Sequence, residues 1–428
     1  MTAVPASQPV LPSLDTAPLA LVVDLVRSGR AATRRELTTL TGLSRKVVAQ
    51  RVDQALDLGL LELGDLAPSE GGRQARMLRF RPAAGHVYAA LVGVSEFTVA
   101  VLDLAGEIVE SHHQDWNVDT GPEPTMKQID GAFELLARRT GVSAPWAVGV
   151  GMPGPVEFAT GRLVAPPIMP GWDGFSVRSW LRDHYDAPVW VDNDANLMAF
   201  GEWTRGVPAD GRDLLFLKVG TGVGAGLIVR GRVLRGQQGA AGDIGHIHVT
   251  DDPEARCRCG RTGCLEAVAS GWALLRRATQ QASESPLLAQ VLRERGEIKG
   301  GDLGEAVRAE DPFAVRLVDE ASEVIAGVTA NLLNFCNPGV LVVGGGVLRT
   351  GTRFLDQLSR TVLERCTDLV RRDLTIRPAS LDHLEGVTGA GLLAAENLLA
   401  PAALSRWIDR GTPLGQAALL QRFSADLA

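Results

Sequence analysis

Cysteine is scarce in this chain of 428 residues, which has only five, and that scarcity excludes a disulfide framework of the kind that holds small secreted domains together. No apolar run reaches the roughly 18 residues that a membrane span needs. Residues 1–18 lack the basic start and apolar core of a secretory signal. A soluble protein of the reducing cytoplasm, with no membrane partner, is expected. Basic excess is missing as well, since the formal net charge is −7, so any polyanion meets only part of the molecule. With 45% apolar residues the chain can bury a sizeable core in two or three domains.

The charge is spread unevenly. Residues 1–85 carry 11 Lys and Arg against 8 Asp and Glu, a balance of +3 that leaves −10 for the remainder. A small basic head on a large acidic body points to the head as the nucleic-acid-facing part. Its local pattern agrees. Residues 19–26 form a helix with an apolar face, and Thr33-Arg-Arg-Glu36 is a capping box for a short helix that stops at Thr41-Gly42. Ser44 is a natural N-cap for a third helix in which Val48, Val52 and Leu56 keep helical period, and Gly59 closes it.

Two short helices around a Gly-containing turn, the second basic near its start, are a helix-turn-helix with a recognition helix. Arg45, Lys46, Gln50 and Arg51 lie where base edges and phosphates are reached. Gln reads adenine and Arg reads guanine, while Ser44 and other basic groups such as Arg34 hold phosphates. Residues 60–64 and 71–80 then read as two strands around a Gly-rich tip, a wing. Arg73 at that tip reaches either a narrow minor groove or a phosphate.

The few cysteines are not dispersed. Cys257, Cys259 and Cys264 fall within eight positions, among Arg256, Arg258, Gly260 and Gly263, which is not core composition. Zn²⁺ takes four tetrahedral N/S ligands, and a Cys3His set leaves no open position, so a structural zinc site is expected. Gly245-His246-Ile247-His248-Val249 just upstream reads as a strand. His246 and His248 then share one face, and spacing leaves either as the fourth ligand. Cys336 and Cys366 read as isolated core residues.

From Gly85 onward apolar strands alternate with Gly-rich turns and helical stretches, the pattern of an α/β body. Residues 87–94 and 98–103 form a hairpin, and 146–150 is a strand entering Gly151-Met-Pro-Gly-Pro155. The strand 189–191 delivers Asp192-Asn193-Asp194-Ala195-Asn196, and 214–218 runs into Gly220-Thr221-Gly222-Val223-Gly224-Ala225-Gly226.

The wing, the Asn-Asp-Ala-Asn element, this glycine turn, Gly239-Ala-Ala-Gly-Asp-Ile-Gly-His246 and the cysteine knuckle stand in the order seen in the ROK family of repressors, open reading frames and sugar kinases. Over about residues 19–400 the chain resembles that family. The resemblance implies a winged helix-turn-helix at 19–82, followed by a two-lobed actin/hexokinase-like (ribonuclease H-like) ATPase fold. The first lobe spans 83–200, and the second spans 201–400 with the zinc knuckle and a helix that returns to the first lobe. A disordered tail at 1–18 and an extension at 401–428 lie outside it, and 409–421 reads as one more surface helix.

In the family the His after the Gly is the fourth zinc ligand, which maps to His246. Asn193, Asp194, Asp243, His246 and Glu266 map to sugar contacts, with Asp194 at the position of the catalytic base. Thr221, Gly222 and Gly224 map to a phosphate cradle, and Gly344-Gly345-Gly346 to the nucleotide side.

Two departures matter. Kinase members carry an Asp-x-Gly-x-Thr loop on the first hairpin, and the frame set by Val99-Ala-Val-Leu-Asp103 puts Leu91 at the Asp position. A Leu cannot organise Mg²⁺ and phosphate, so phosphoryl transfer is expected to be lost. Ile168 stands where sugar binders often carry Asn, and Asp243 replaces a Glu, so the ligand need not be glucose.

The sequence therefore reads as a sugar-responsive regulator, a repressor, with structural Zn²⁺ and a dimer or dimer of dimers on an inverted-repeat operator in double-stranded DNA. Its rivals are an ATP-dependent sugar kinase and a regulator with no small-molecule ligand.

Overall fold

The structure, a computed structural model, describes residues 18–66, 76–206 and 210–423. Residues 1–17 of the expected disordered tail, the wing tip with Arg73 and the last five residues lie outside the described residues, whereas Pro18, expected in that tail, begins the first helix. In the head, Leu19, Val22, Val23 and Val26 give α1 (Pro18–Arg27) its buried face. Thr33 and Glu36 cap each other's backbone to open α2 (Arg34–Thr41), and Gly42 ends it at φ 69°, a left-handed turn that costs glycine least. The Ser44 hydroxyl accepts the Val47 N–H to start α3 (Arg45–Asp57), which buries Val48, Val52 and Ala55. β1 (Leu61–Leu66) and β2 (Arg76–Phe80) pair antiparallel as the two sides of the wing.

Two five-stranded sheets follow. The first lobe contains β3 (His86–Val92), β4 (Glu96–Asp103), β5 (Ile108–Asp115), α4 (Pro122–Thr140) and β6 (Ala147–Met152), then a small ribbon of β7 (Val156–Glu157) and β8 (Arg162–Leu163), α5 (Val177–His184) and β9 (Val189–Asn193). α6 (Asp194–Arg205) leads out of it. The second lobe has β10 (Leu214–Val219), β11 (Val223–Val229) and β12 (Arg232–Val233), then α7 (Leu265–Ala269), α8 (Gly271–Gln280), α9 (Pro286–Arg295), α10 (Gly300–Arg308) and α11 (Pro312–Cys336), and finally β13 (Val340–Gly344), α12 (Arg353–Arg365), α13 (Asp368–Arg371) and β14 (Thr375–Pro378).

The sheet orders are β5-β4-β3-β6-β9 and β12-β11-β10-β13-β14. In each, three strands form an antiparallel meander and two more run parallel to the first. This repetition is the two-lobed architecture expected from the sequence.

α14 (Glu385–Leu399) returns to the first lobe and crosses α6 with backbone against backbone. A Cβ at Gly201 would lie 2.0 Å from the Glu385 carbonyl oxygen, and one at Gly389 would lie 1.9 Å from that of Leu197, so only glycine permits this crossing. Glu385 is buried there, and desolvation raises its pKa above the ordinary carboxylate value. Among the described residues no single helix is long and apolar enough to cross a membrane.

The reading of 409–421 as one surface helix is corrected. α15 (Pro401–Trp407) and α16 (Ala417–Phe423) are separated by a break that includes Gly411 at φ 71°. Leu404, Trp407, Ile408 and Leu420 are buried. The reason is compositional: Gly411 and Pro413 interrupt the helix, and the large apolar side chains on both sides of the break need a core. That core is shared. A single cluster runs from Leu19, Val23 and Val48 of the head through Trp407 and Leu404 to Trp146, Val87 and Val387 of the first lobe. The Trp407 and Trp146 rings meet edge to face at 5.3 Å, and the Trp407 indole N–H donates to the Leu398 carbonyl at 3.1 Å. Arg27 of α1 donates to Glu396 of α14 at 2.8 Å. Gln421 of α16 accepts the Val189 N–H of the edge strand β9 at 2.7 Å. Of the isolated cysteines, Cys366 is buried as expected, whereas Cys336, at the end of α11, is only partly so.

Candidate functional site

β9 and β10 deliver their C-terminal ends to one cleft between the lobes, lined by Asn193, Asp194, Lys218, Asp243, His246 and Glu266 among others. Asn193 is the N-cap of α6. Its Oδ1 accepts the Ala195 and Asn196 N–H groups at 2.9 and 3.4 Å, and its Nδ2 donates to the Gly154 carbonyl at 3.0 Å. The amide faces the cleft but is committed on both ends. Asp194 is buried, with Oδ1 accepting the Ala195 N–H at 2.8 Å and Oδ2 in an ion pair with the Lys218 ammonium. A buried carboxylate without such a partner would be costly, and the pair joins the two lobes at the floor of the cleft. Sequence reasoning missed Lys218. Its signal is one charge inside Leu-Leu-Phe-Leu-Lys-Val, an otherwise apolar strand.

The glycine turn after β10 mixes packing demands with open space. A Cβ at Gly226 would lie 2.4 Å from the Ala195 carbonyl oxygen of α6, so the fold itself demands glycine there. A Cβ at Gly222 would lie 2.4 Å from Oε2 of Glu266, whereas one at Gly224 meets only the Ala195 Cβ at 3.5 Å, an ordinary contact. Gly226→Ala is therefore expected to cost about 1–3 kcal/mol in denaturant unfolding, and Gly224→Ala to stay within about 0.5 kcal/mol.

Glu266, at the start of α7, is buried and accepts from Arg258 Nη2 at 3.0 Å. Arg258 stands over the Trp272 ring at 4.6 Å, with Nη2 3.5 Å from the Thr221 carbonyl. Arg258, also unforeseen, thus ties the knuckle to both Glu266 and the phosphate-type turn.

Leu91 lies on β3 between Thr98 of β4 and Gly151 of β6, and a Cβ at Gly386 would meet its side chain at 2.4 Å. Glu96, the nearest acid in sequence, is exposed beside His113 at 3.9 Å and does not replace the missing carboxylate.

The strand read over 245–249 is corrected. Ile244, Gly245 and His246 form a 3-10 turn, and His248 contributes only an isolated bridge to Cys264. The turn forms because Gly245 packs against the Val223 carbonyl, which a Cβ would approach to 2.4 Å. This separates the two histidines. His246 Nδ1 is 3.7 Å from Cys257 Sγ, and its Nε2 is 3.9 Å from Asp243 Oδ1. His248 is exposed and faces Asp251 instead.

The donor atoms of His246, Cys257, Cys259 and Cys264 all lie within 4.8 Å of one another, with Cys259 and Cys264 sulfurs 3.8 Å apart. Zn–S bonds of about 2.3 Å in a tetrahedron place sulfurs about 3.8 Å apart, so the donor set fits Zn²⁺ in chemistry and in spacing. Burial, together with the neighbouring sulfurs, pushes the Cys257 thiol up to about 12. Ionising such a thiol in this pocket calls for a cation beside it.

In the head, Ser44, Arg45, Lys46 and Gln50 are exposed along the start of α3. Arg34 is paired with Asp53 at 2.6 Å, and Arg51 donates to Gln54 at 2.7 Å, so these two are held by neighbours on the head itself.

Residues 87–397 match the ROK family. The chain is 34% identical to a glucokinase of Halalkalibacterium halodurans, over 71% of this chain and 93% of that protein. It is 24% identical to a xylose repressor of Caldicellulosiruptor bescii, over 89% of this chain and 95% of that one. Among solved structures, a ROK family transcriptional regulator described as a homolog of the E. coli MLC protein superposes with a TM-score of 0.74 at 22% identity, over 92% of this chain and 98% of that one. A ROK family glucokinase from Streptomyces griseus, in complex with glucose and AMPPNP, gives 0.65 at 29% identity, over 73% of this chain and all of that one.

Proposed function

Because the chain belongs to the ROK family, we propose that it is a DNA-binding transcriptional regulator, a zinc-stabilised repressor of carbohydrate-metabolism genes whose cleft senses a sugar or sugar derivative. The observation that carries this reading is the single core that joins the helix-turn-helix to the first lobe, because a head so attached moves with the lobe that holds Asp194. The extent of the similarities agrees. The xylose repressor aligns with 89% of the chain, the glucokinase with only 71%.

The cleft offers Asp194, Asp243 and Glu266 as acceptors for sugar hydroxyls, and the outward ring N–H of His246, whose other nitrogen faces Cys257, as a donor. Zn²⁺, held by His246, Cys257, Cys259 and Cys264, would supply no reaction here. It would lock the knuckle that carries Arg258 and hence the position of Glu266. Ligand shifts the lobes only through contacts made in the closed state alone. In a dimer, or dimer of dimers, that closure changes the spacing of two recognition helices on an inverted repeat whose half-sites lie about one helical turn, or a multiple of it, apart.

Phosphoryl transfer has no place in this reading, since Leu91 supplies no acid and Asp194 is held by Lys218. The kinase alternative is favoured by the glucokinase identity and by the preserved glycine turn.

The test combines three assays. The protein is expected to retard its own promoter fragment, a panel of sugars to change that retardation, and a coupled ADP assay across hexoses and amino sugars to stay silent. DNA binding no stronger than the non-specific level at moderate salt would remove the regulator reading, and ADP release would replace it with the kinase. Within the head, Gln50→Ala is expected to cost about 1–3 kcal/mol and to relax preference at one base pair. Lys46→Ala should weaken all sequences alike and lower the salt slope by about one. Titrations at several salt concentrations separate the two effects.

A further inference from the structure

We propose that the ion pair of Arg235 with Asp192 is a latch between the lobes, which holds a strap of the second lobe, residues 234–242, against the first lobe and so sets the resting closure of the cleft. The inference deepens the sugar-sensor reading by naming how its cleft is regulated, and its affinity measurements rest on that reading. The strap leaves and rejoins the second lobe on β11. Leu234 N–H donates to the Leu227 carbonyl at 2.8 Å, and the Gly242 carbonyl accepts the Ala225 N–H at 2.9 Å. Ala241 N–H donates to the Arg235 carbonyl at 3.0 Å and closes the neck.

Although rooted there, the strap docks on the first lobe at two points. Gly239, at φ 87°, sits so close to β7 that a Cβ would lie 2.4 Å from the Val156 carbonyl oxygen. Arg235 Nε donates to Asp192 Oδ2 of β9 at 2.8 Å, and its guanidinium lies 3.9 Å from the centre of the Phe158 ring. Both partners are largely withdrawn from water, with side chains 19% and 3% exposed. Such a pair is weakly screened by salt, and losing one member leaves the other without compensation.

The bonding of Asp192 points to a latch rather than to local neutralisation. Its Oδ1 accepts the Asn193 N–H at 2.8 Å and the Asn196 amide at 3.0 Å, both neutral donors that follow it in the chain. The cation paired with it, alone among the described residues, comes from the other lobe. Asn193 and Asp194 come directly after Asp192, while Gly239 to Asp243 of the strap and its continuation line the same cleft and lead into the turn that carries His246. Docking of the strap therefore sets how far Asp243 and His246 stand from Asn193 and Asp194. Neither Arg235 nor Asp192 lines the cleft, so the latch acts on closure and not on the choice of sugar. A ligand that needs the closed cleft binds with an affinity scaled by the fraction of molecules closed, which is one factor for every such sugar.

The experiment uses the full-length, zinc-loaded protein. Hydrogen exchange, read by mass spectrometry with no ligand added, is followed in the strap and in residues 189–196. Asp192→Asn removes the charge and keeps an acceptor for Asn193 and Asn196; in it the strap is expected to exchange about tenfold or more faster, with 189–196 unchanged. Arg235→Gln should do the same, and combining the two should add little, since both break one interaction. In calorimetric titrations with glucose, xylose and N-acetylglucosamine, each sugar that binds the unaltered protein should be weakened in either variant by one common factor of about tenfold.

Unchanged strap exchange in both variants overturns the proposal. So does faster exchange confined to 189–196, which is the result expected of a pair that only neutralises Asp192. Effects that add in the double variant, or affinities that fall by unequal factors, overturn it as well. If no sugar of the panel binds the unaltered protein, the sensor reading falls, and the exchange measurement still decides the latch. Should Asp192→Asn not fold, Arg235→Gln decides alone.

Discussion

Cys259→Ser is expected to yield a protein that retains no stoichiometric zinc, binds its sugar ligand about 100-fold more weakly and still folds its DNA-binding head. Cys259 is one of four potential ligands, with His246, Cys257 and Cys264, whose donor atoms lie within 4.8 Å of one another. A serine hydroxyl is a poor substitute for a thiolate toward Zn²⁺, so three ligands remain in a site built for four.

The loss spreads along defined connections. Leu265 N–H bonds to the Ile247 carbonyl and Val249 N–H to the Gly263 carbonyl, both at 2.8 Å, so the histidine turn and the knuckle hold each other. Arg258 lies between two of the cysteines and fixes Glu266. Without the metal, two cleft residues lose their placement together, His246 by its released ring and Glu266 through Arg258. The head shares no core with the knuckle, whose buried cysteines belong to a separate small cluster. Metal analysis, calorimetry with the sugar panel and gel retardation check the three parts. Unchanged sugar affinity in a metal-free variant would separate the knuckle from sensing.

The head and the knuckle were legible in the sequence because their signals are local. A capping box such as Thr33 with Glu36, an N-cap such as Ser44 and a Cys-x-Cys-x4-Cys run each express their chemistry within a few residues. The two lobes were legible from ordered motifs and from the resemblance they carry.

What could not be read depends on pairs far apart in the chain. Lys218 meets Asp194 across 24 residues and between two lobes, and neither residue alone announces the other. Periodicity suggested a strand over 245–249, but a carbonyl of β11 pressing on Gly245 bent it into a turn, a tertiary effect that alternation cannot show. The extension failed in the same way. Its apolar residues are too few to mark an independent core, and their burial becomes visible only when α1 and the first lobe are placed beside them.

Trp407→Ala is expected to be the most disruptive substitution outside the cleft, costing about 3–5 kcal/mol. The indole is fully buried, its N–H is bonded to the Leu398 carbonyl, and its ring closes on Trp146 at the junction of head, extension and first lobe. Truncation to Ala would leave a cavity between three elements that belong to different parts of the chain. A bonded carbonyl would also lose its partner there.

The consequence is specific. In the unaltered protein the head and the first lobe should unfold in one cooperative transition, because one core serves both. In Trp407→Ala the head should melt separately and at lower temperature. The variant should still bind sugar, since none of the cleft-lining residues belongs to this core cluster, and any DNA it binds below its new transition should no longer respond to sugar. Differential scanning calorimetry reads the first effect, and retardation assays with and without ligand read the second. A single transition together with an intact sugar response would mean that closure reaches the recognition helix by another route. In that case the segment after α14 would serve stability alone.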